Sequence, residues 1–324
     1  MKVRIAALVL PLALFALPAP AQPAPTPPAQ TTLDVQKLGE GVWAAEADKG
    51  ANVAWFVVSD GVVVVDSGND EATARLALEK IAETTGKPVR HLVITHAHGD
   101  HANGAAVFAA AGAEIVCHEN GAAAITSVLR RPGAATTKAS PGVLAISDRL
   151  AFFGGSRRAA VYYLGPGHTT GDLIVLLPED KILFAGDLVV NGRLPYLQSP
   201  DADPQGWEQI LIRLTALDVE KVFPGHGKVG TRQSIADSLA YLRKVNELAK
   251  LFIQTRVPDE LYDMKLREPD NRIANVSVSP DHVANVRAAV KLERARLEKP
   301  AATPGPSRAK PGATPASPKT PKKG

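Results

Sequence analysis

Short apolar runs alternate along the chain with segments in which apolar residues recur at helical spacing. The runs are bounded by turn residues and predict strands at residues 41–44, 51–58, 61–65, 91–94, 115–117, 159–163, 172–177, 181–184 and 221–223. Helical spacing predicts helices at residues 70–85, 103–111, 119–129, 207–217, 231–253 and 280–297. Because both halves mix strands and helices, we expect an α/β protein with two sheets packed face to face and helices outside.

The first residues have a different pattern. Lys2 and Arg4 precede a run at residues 5–17 that is apolar apart from Pro11, and the small residues Ala19 and Ala21 follow it. This order predicts a secretory signal peptide over residues 1–21, cleaved after Ala21, and therefore a periplasmic or secreted protein. The apolar run is too short to cross ~30 Å of hydrocarbon comfortably, so we expect no stable membrane span.

Two further segments lack an apolar pattern. Residues 22–30 form a Pro/Ala-rich spacer, and residues 299–324 form a basic, Pro-rich tail that we expect to be disordered. One folded domain with a C-terminal helical extension is expected between them, over residues 31–298. The chain is formally +4, but two positive charges precede residue 22 and six follow residue 298, with no acid in either part, so the remainder is formally −4. Because the expected domain has a net negative charge, nucleic acid is not expected as a partner.

Four side chains that can bind a metal ion fall within six residues, directly after the predicted strand at 91–94. They are His96, His98, Asp100 and His101. A single histidine is often a structural residue, but packing in an apolar core does not explain four such groups on one loop. In a tight loop, His96 and His98 can converge on one ion while Asp100 and His101 turn toward a second.

Three more candidate ligands follow other predicted strands. His168 lies in a glycine-rich loop, Asp187 ends the strand that begins at residue 181, and His226 lies in the sequence Pro-Gly-His-Gly. Glycine beside each ligand lets the backbone turn sharply and approach a metal ion. Loops carried by a rigid strand scaffold are the usual position of catalytic side chains.

The ordered motifs His-X-His-X-Asp-His, Gly-His, Gly-Asp and Pro-Gly-His-Gly resemble those of the metallo-β-lactamase superfamily. The resemblance covers roughly residues 33–250 and implies an αββα sandwich with the metal site at one edge of the paired sheets. It also implies that His96, His98 and His168 bind one ion. The implied ligands of the other ion are Asp100, His101 and His226, with Asp187 bridging the two ions.

The chemistry of these ligands agrees with the resemblance. Three imidazoles with an open position form a catalytic zinc site, and a mixed nitrogen and oxygen set without thiolate also suits iron or manganese. Two ions ~3.5–4 Å apart can share a hydroxide formed near neutral pH. We therefore expect two Zn²⁺ per chain and a metal-bridged hydroxide that attacks the carbonyl of a small ester, thioester, lactone or β-lactam. Asp100 is the candidate catalytic residue.

The substrate and one alternative activity stay open. Lactamases of the superfamily usually have Cys or Ser at the position of Asp187, which instead resembles glyoxalase II. The ending Gly-His-Gly-Lys departs from glyoxalase II, and export argues against its glutathione thioester. A mononuclear iron persulfide dioxygenase uses a related scaffold and is the main alternative, while a nuclease would need a basic groove. A small-molecule substrate is expected, and the oligomeric state is left open.

Weaker expectations concern single residues. The segment at residues 95–101, which carries four of the candidate ligands, is called the His-rich loop. Asp66 either braces this loop from outside the ligand shell or forms a plain turn. Three residues after the Asp187 strand are candidates for the substrate entrance, namely Asn191, Arg193 and Tyr196. Trp207 is a further candidate but is more often a core residue.

Four other reactive side chains lie outside the motifs. We expect His91 and His118 to be structural or surface residues and His282 to be exposed near the start of the last helix. The single Cys117 cannot form an internal disulfide, and its apolar strand predicts a buried, inert thiol.

Overall fold

The structure is a computed structural model that describes residues 31–59, 61–135, 142–155, 157–273 and 276–298. The predicted signal peptide, spacer and tail lie outside these residues. The strands are β1 (Leu33–Gly39), β2 (Val42–Ala47), β3 (Val53–Val58), β4 (Gly61–Val65), β5 (Val89–Val93), β6 (Glu114–His118), β7 (Val143–Ile146), β8 (Arg149–Gly154), β9 (Arg157–Tyr163), β10 (Leu173–Leu177), β11 (Ile182–Val190) and β12 (Lys221–His226). The α-helices are α1 (Glu71–Thr85), α2 (Gly99–Ala102), α3 (Ala105–Ala110), α4 (Ala122–Leu129), α5 (Pro204–Thr215), α6 (Arg232–Gln254), α7 (Tyr262–Leu266) and α8 (Pro280–Glu298).

The strands form two mixed sheets. The first has seven strands in the order β1 to β7, and the second has five in the order β12-β11-β10-β9-β8. Strands β1 to β4 pair antiparallel, whereas β4 to β7 pair parallel. Each parallel pair needs a crossover, and helices α1 to α4 supply these connections.

Three apolar layers hold the sheets and helices together. The layer between the sheets includes Phe56 of β3 and Phe184 of β11, whose rings stack with centroids 5.9 Å apart. A second layer packs α1, α3 and α4 on the first sheet, and a third packs α5, α6 and α8 on the second sheet. The order helix, sheet, sheet, helix confirms the predicted αββα sandwich.

Three strands were missed by the sequence pattern: β1, β7 and β8. They alternate exposed or half-buried positions with few buried ones, so they lack the apolar runs of the central strands. The predicted helix at residues 103–111 is shorter than expected, since α3 spans Ala105–Ala110, and an unpredicted turn of helix, α2, forms on the His-rich loop before it.

The C-terminal extension packs against α6. Helix α8 buries Val283, Val286 and Val290 in the third apolar layer. His282 is buried as well, which contradicts the expected exposure. Its Nδ1 lies 3.1 Å from the hydroxyl of Tyr241, and burial lowers its pKa. Among the described helices, none is both long and apolar enough to span a membrane.

Candidate metal centre

The seven predicted ligands meet at one edge of the two sheets. The His-rich loop follows β5 of the first sheet, and His168 lies on the loop from β9 to β10 of the second. Asp187 is part of β11, and His226 is the last residue of β12. Three groups of these side chains have ligand atoms within 4.8 Å of one another: His96, His98 and His168; His96, His101 and Asp187; and Asp100, His101 and His226.

The first group consists of three imidazoles. His98 Nδ1 lies 3.0 Å from His96 Nε2 and 3.0 Å from His168 Nε2. Burial lowers the pKa of His96 well below its usual range, and burial lowers that of His168 to about 4. Both rings are therefore neutral near pH 7, which is the form that binds metal ions.

The second group combines a carboxylate with two imidazoles. Asp100 Oδ2 lies 3.1 Å from His226 Nε2 and 3.9 Å from His101 Nε2. Burial opposes a positive charge on His101, but the nearby carboxylates of Asp66 and Asp187 outweigh it and raise the pKa of His101. The same negative potential favours any other cation at this nitrogen.

Asp187 lies between the two groups. Its Oδ1 is 3.3 Å from His101 Nε2, and its Oδ2 is 3.5 Å from both His168 Nε2 and His226 Nε2. Although burial alone would raise the pKa of Asp187, the charge of His101 lowers it well below its usual range. Its two oxygens therefore face histidines of both groups as an ionised carboxylate.

The strand around Asp187 differs from the sequence-based expectation. Strand β11 does not end at Asp187 but continues to Val190. The register with β12 shifts on both sides of Gly186, whose φ of +51° places it in the left-handed region. This irregularity within the strand, favoured by glycine, turns Asp187 into the site.

In each of the five candidate histidines, one ring nitrogen, called the inner nitrogen, faces the other ligands. The second ring nitrogen, called the outer nitrogen, faces a hydrogen-bond acceptor. His168 Nδ1 lies 3.1 Å from the carbonyl oxygen of Tyr196, and His226 Nδ1 lies 3.0 Å from that of Gly50. His101 Nδ1 lies 2.8 Å from the carboxylate of Asp66. Because each acceptor takes the proton of the outer nitrogen, the inner Nε2 carries the lone pair when the ring is neutral, which is the form that binds a metal ion.

Two hydroxyl groups serve as the acceptors for the outer nitrogens of the remaining rings, His98 and His96. Ser199 Oγ donates to Asp201 at 2.6 Å, so it can accept from His98 Nε2 at 3.3 Å. Thr95 Oγ1 donates to Asp66 and can accept from His96 Nδ1 at 3.2 Å. The inner nitrogens are then Nδ1 of His98 and Nε2 of His96.

Asp66 links the His-rich loop to the end of β4. It accepts from the backbone N–H and hydroxyl of Thr95 and contacts His101, and its side chain is buried. Its φ of +61° is a backbone conformation that Asp and Asn tolerate better than most residues. Residue type had allowed either a bracing role or a turn, and the contacts with Thr95 and His101 agree with the bracing role.

The sequence did not indicate the other hydrogen-bond partners that surround the histidines. Gly50 and Tyr196 act through backbone carbonyls, and no side-chain type marks such a contact in a sequence. Ser199 and Asp201 lie in the segment after β11, where polar residues are common in any loop.

A cleft of about 730 Å³ opens on the site. Arg193 and Tyr196 line it as expected. Asn191 does not line this cleft. It lines an adjoining cavity, and its side-chain amide donates to the carbonyl of Lys228. Helix α8 adds two lining residues that were not expected, Asp281 and Asn285. A cleft of this size fits a small molecule.

Four side chains considered in the sequence stay outside the cleft. Trp207 is fully buried and donates to the carbonyl of Leu188. His118 is buried and stacks on Tyr163, and His91 packs beside Phe152. Burial raises the pKa of Cys117 to about 11, so its thiol stays protonated and inert.

Comparisons with known proteins agree with this arrangement. The sequence model of the metallo-beta-lactamase superfamily matches residues 47–226, which is more than half of the chain. A metallo-beta-lactamase type 2 from Bacillus sp. (strain 170) is 29% identical over 225 residues, covering 65% of this chain and 83% of that protein. The alpha subunit of a 2,4-dinitroanisole O-demethylase from Nocardioides sp. (strain JS1661) is 29% identical over 167 residues, covering 51% of this chain and 49% of that protein.

Solved structures show the same architecture. A metallo-beta-lactamase from Pontibacter korlensis superposes with a TM-score of 0.57 at 27% identity, covering 65% of this chain and 99% of that one. The family match spans the strands and loops that carry all seven candidate ligands. The relatives indicate a metal-dependent hydrolase, and the chain belongs to the metallo-beta-lactamase superfamily.

Proposed function

We propose that the chain is a hydrolase that holds two Zn²⁺ ions and attacks the carbonyl carbon of a small ester, thioester, lactone or β-lactam, breaking its acyl C–O, C–S or C–N bond. The observation that carries this proposal is the common orientation of five imidazole rings. Each ring has an acceptor at its outer nitrogen, so the five rings in their neutral, metal-binding form direct five lone pairs into a space that also contains Asp100 and Asp187. A hydrogen-bond network alone does not require five acceptors to face one another.

The site fits metal ions on a second ground. Within the described part of the chain, His101 Nε2 and Asp187 Oδ1 are buried without a hydrogen-bond partner, although they lie only 3.3 Å apart. Leaving a buried polar atom unpaired costs about 1–3 kcal/mol. Cations bound between the rings and the carboxylates would satisfy both atoms.

The donor set favours zinc. It consists of five imidazoles and two carboxylates, and the single thiol of Cys117 lies elsewhere, in β6. Imidazole nitrogen with carboxylate oxygen is a common zinc environment, although iron and manganese accept the same ligands. Metal analysis therefore belongs to the test of the proposal.

The bound ions would polarise the carbonyl group of the substrate and lower the pKa of a water molecule to near neutral pH. The protein's own residues supply the geometry. Asp187 faces histidines of both ligand groups, while Asp100 faces the open cleft and His226. Arg193 and the half-exposed Tyr196 line the same cleft, where they can orient the rest of the substrate.

The choice of carbonyl compound rests on the relatives and on Asp187. Several relatives are described as metallo-beta-lactamases, which supports a lactam among the substrates. The carboxylate at Asp187, where lactamases usually carry Cys or Ser, supports esters, thioesters and lactones as well. We therefore propose the carbonyl class and not one compound.

A substrate panel with metal analysis tests the proposal. Purified protein should contain two zinc ions per chain and hydrolyse at least one ester, thioester, lactone or β-lactam. His98→Ala should abolish turnover, whereas His91→Ala, which changes a histidine outside the site, should leave it near normal. One iron per chain with oxygen uptake on a persulfide would instead identify a dioxygenase and overturn the proposal.

A further inference from the structure

A loop between β11 and α5 contacts two of the candidate ligands. We define it as the ligand-backing loop, residues 194–199. Its Tyr196 carbonyl faces His168 Nδ1 at 3.1 Å, and its Ser199 hydroxyl lies 3.3 Å from His98 Nε2. The position of this loop therefore decides how two rings of the first ligand group are oriented.

The side chain of Tyr196 does not hold the loop in place. It is 50% exposed at the mouth of the cleft, so packing restrains it little. The neighbouring Pro195 and Leu197 are buried, and their backbone groups are bound by a residue from a distant part of the chain. That residue is Asn285 of helix α8.

Asn285 binds the backbone on both sides of Tyr196. Its Oδ1 accepts from the N–H of Leu197 at 3.1 Å, and its Nδ2 donates to the carbonyl of Pro195 at 2.7 Å. Its second amide proton goes to the hydroxyl of Tyr241 at 2.9 Å. This set fixes the amide orientation, because a flipped amide would place donor against donor and acceptor against acceptor.

The contact joins the site to a part of the chain outside the family match. That match ends at residue 226, whereas α8 spans Pro280–Glu298. Asn285 is only 1% exposed, yet it also lines the cleft that opens on the candidate metal centre. Helix α8 is anchored on α6 by buried apolar residues, so it offers a rigid support for the loop.

We propose that Asn285 is a positioning residue of the metal centre, acting through the ligand-backing loop on His168. By holding the Tyr196 carbonyl in place, it keeps the proton on His168 Nδ1 and the lone pair of Nε2 directed at the ligand group. This inference rests on the proposed metal-binding function. It adds that the C-terminal extension is needed for a complete site.

The inference predicts weaker metal binding when the amide is lost. Loss of an outer-shell partner of a metal-binding histidine typically costs 10–100-fold in metal affinity. Asn285 acts one step further out, so we expect the affinity for the zinc ion held by His96, His98 and His168 to fall about 10-fold in Asn285→Leu. Leu retains the branched shape and the number of heavy atoms but can make neither hydrogen bond to the loop.

Asn271 provides a matched control. It is also a buried asparagine of the C-terminal extension, 7% exposed, and its Nδ2 donates to the carbonyl of Lys265. Its hydrogen bonds stay within residues 265–271, away from the ligand-backing loop. Asn271→Leu should therefore lower thermal stability without changing the affinity for metal.

The experiment compares the full-length wild type, Asn285→Leu and Asn271→Leu. Zinc affinity is measured by competition with a chromogenic chelator, and the visible absorption of the Co²⁺-loaded protein reports the ligand geometry. We expect a weaker affinity and an altered Co²⁺ spectrum only for Asn285→Leu. If Asn285→Leu does not fold, Asn285→Ser retains a small polar group and is measured in its place.

The outcomes separate this inference from the proposed function. A wild type that binds no zinc would overturn both. A wild type that binds two ions, with the same affinity and Co²⁺ spectrum in the Asn285 variant, would overturn the positioning role alone. Equal losses of affinity in the Asn285 and Asn271 variants would show a general effect of stability and would also overturn it.

Discussion

At the scale of single residues, ligand identity is easier to predict from sequence than ligand orientation. The residue types and spacing around His96 and His98 already indicate metal ligands. Their orientation depends on partners such as the Gly50 carbonyl and the Ser199 hydroxyl, which become neighbours only in the folded chain. A backbone carbonyl has no sequence signature, so these contacts could not be predicted.

Asp187→Asn tests the residue that faces both ligand groups. The amide keeps the shape of the side chain but lacks the charge that offsets two cations, so the fold should persist while metal content falls toward one ion per chain. We expect turnover to drop by several orders of magnitude, since one catalytic electrostatic contact is worth about 3–4 kcal/mol. Metal analysis and steady-state rates on the purified variant measure both effects.

Asp218→Asn is the control for this substitution. Its side chain is 80% exposed and pairs with Lys181 at a surface position. We expect full metal content and a normal rate for this variant. Full occupancy and a near-normal rate in Asp187→Asn as well would mean that Asp187 is structural and that the two-ion proposal is wrong.

At the scale of elements, the buried central strands were predictable and the site-forming irregularities were not. Strand β4 is wholly buried and reads as an apolar run, whereas β1 alternates exposed and half-buried residues and was missed. The extension of β11 past Asp187 depends on a register shift against β12. Such a shift is a property of two paired strands, and the pattern of either strand alone does not contain it.

Gly225 shows how closely β12 approaches the site. A Cβ at this position would overlap Asp187 Oδ1 and lie 2.9 Å from both the Gly186 carbonyl carbon and His101 Cε1. Gly225→Ala should therefore displace Asp187 and His101 and reduce metal content together with activity. Inductively coupled plasma analysis and a thermal melt of the variant measure the two consequences separately.

Gly142→Ala is the matched control, because a Cβ there meets no atom of the described residues within 4 Å. Its metal content and rate should match the wild type. Normal metal content in Gly225→Ala would contradict the close approach of β12 to Asp187.

At the scale of the whole molecule, the sandwich brings loops from both sheets to one edge. The family resemblance predicted this arrangement, because the order of the motifs along the chain is shared. It did not predict that α8 reaches the same edge, since the matched region ends before that helix. The contact of Asn285 with the ligand-backing loop is a tertiary contact over about ninety residues of sequence, with no local pattern to indicate it.

Removal of residues 299–324 should leave the domain nearly unchanged. This basic, Pro-rich segment has no apolar pattern that could pack on the domain. We expect the melting temperature and the rate to stay close to those of the full chain, and the isoelectric point to fall because six positive charges are lost. A large loss of thermal stability in the truncated protein would show that the tail packs on the domain.

Removal of metal tests the site and the fold together. The candidate ligands come from both sheets, so ions bound between them would connect the loop after β5 of the first sheet with β11, β12 and the loop before β10 of the second sheet. An ion that binds only the native state stabilises it by about 2.7 kcal/mol when free metal is one hundred times its dissociation constant. For a domain of this size, that free energy corresponds to a rise in melting temperature of about 5–10 °C.

Chelation with EDTA should therefore lower the melting temperature, and added zinc should restore it. The double variant His98→Ala and His226→Ala, which lacks a ligand in each group, provides the control because chelation should then change nothing. Differential scanning calorimetry with metal analysis of the same samples gives both quantities. A wild-type melting temperature that stays constant while the ions are shown to leave would mean that the seven side chains do not form a metal-bound link between the sheets. The buried Nε2 of His101 and Oδ1 of Asp187 would then need another partner than a cation.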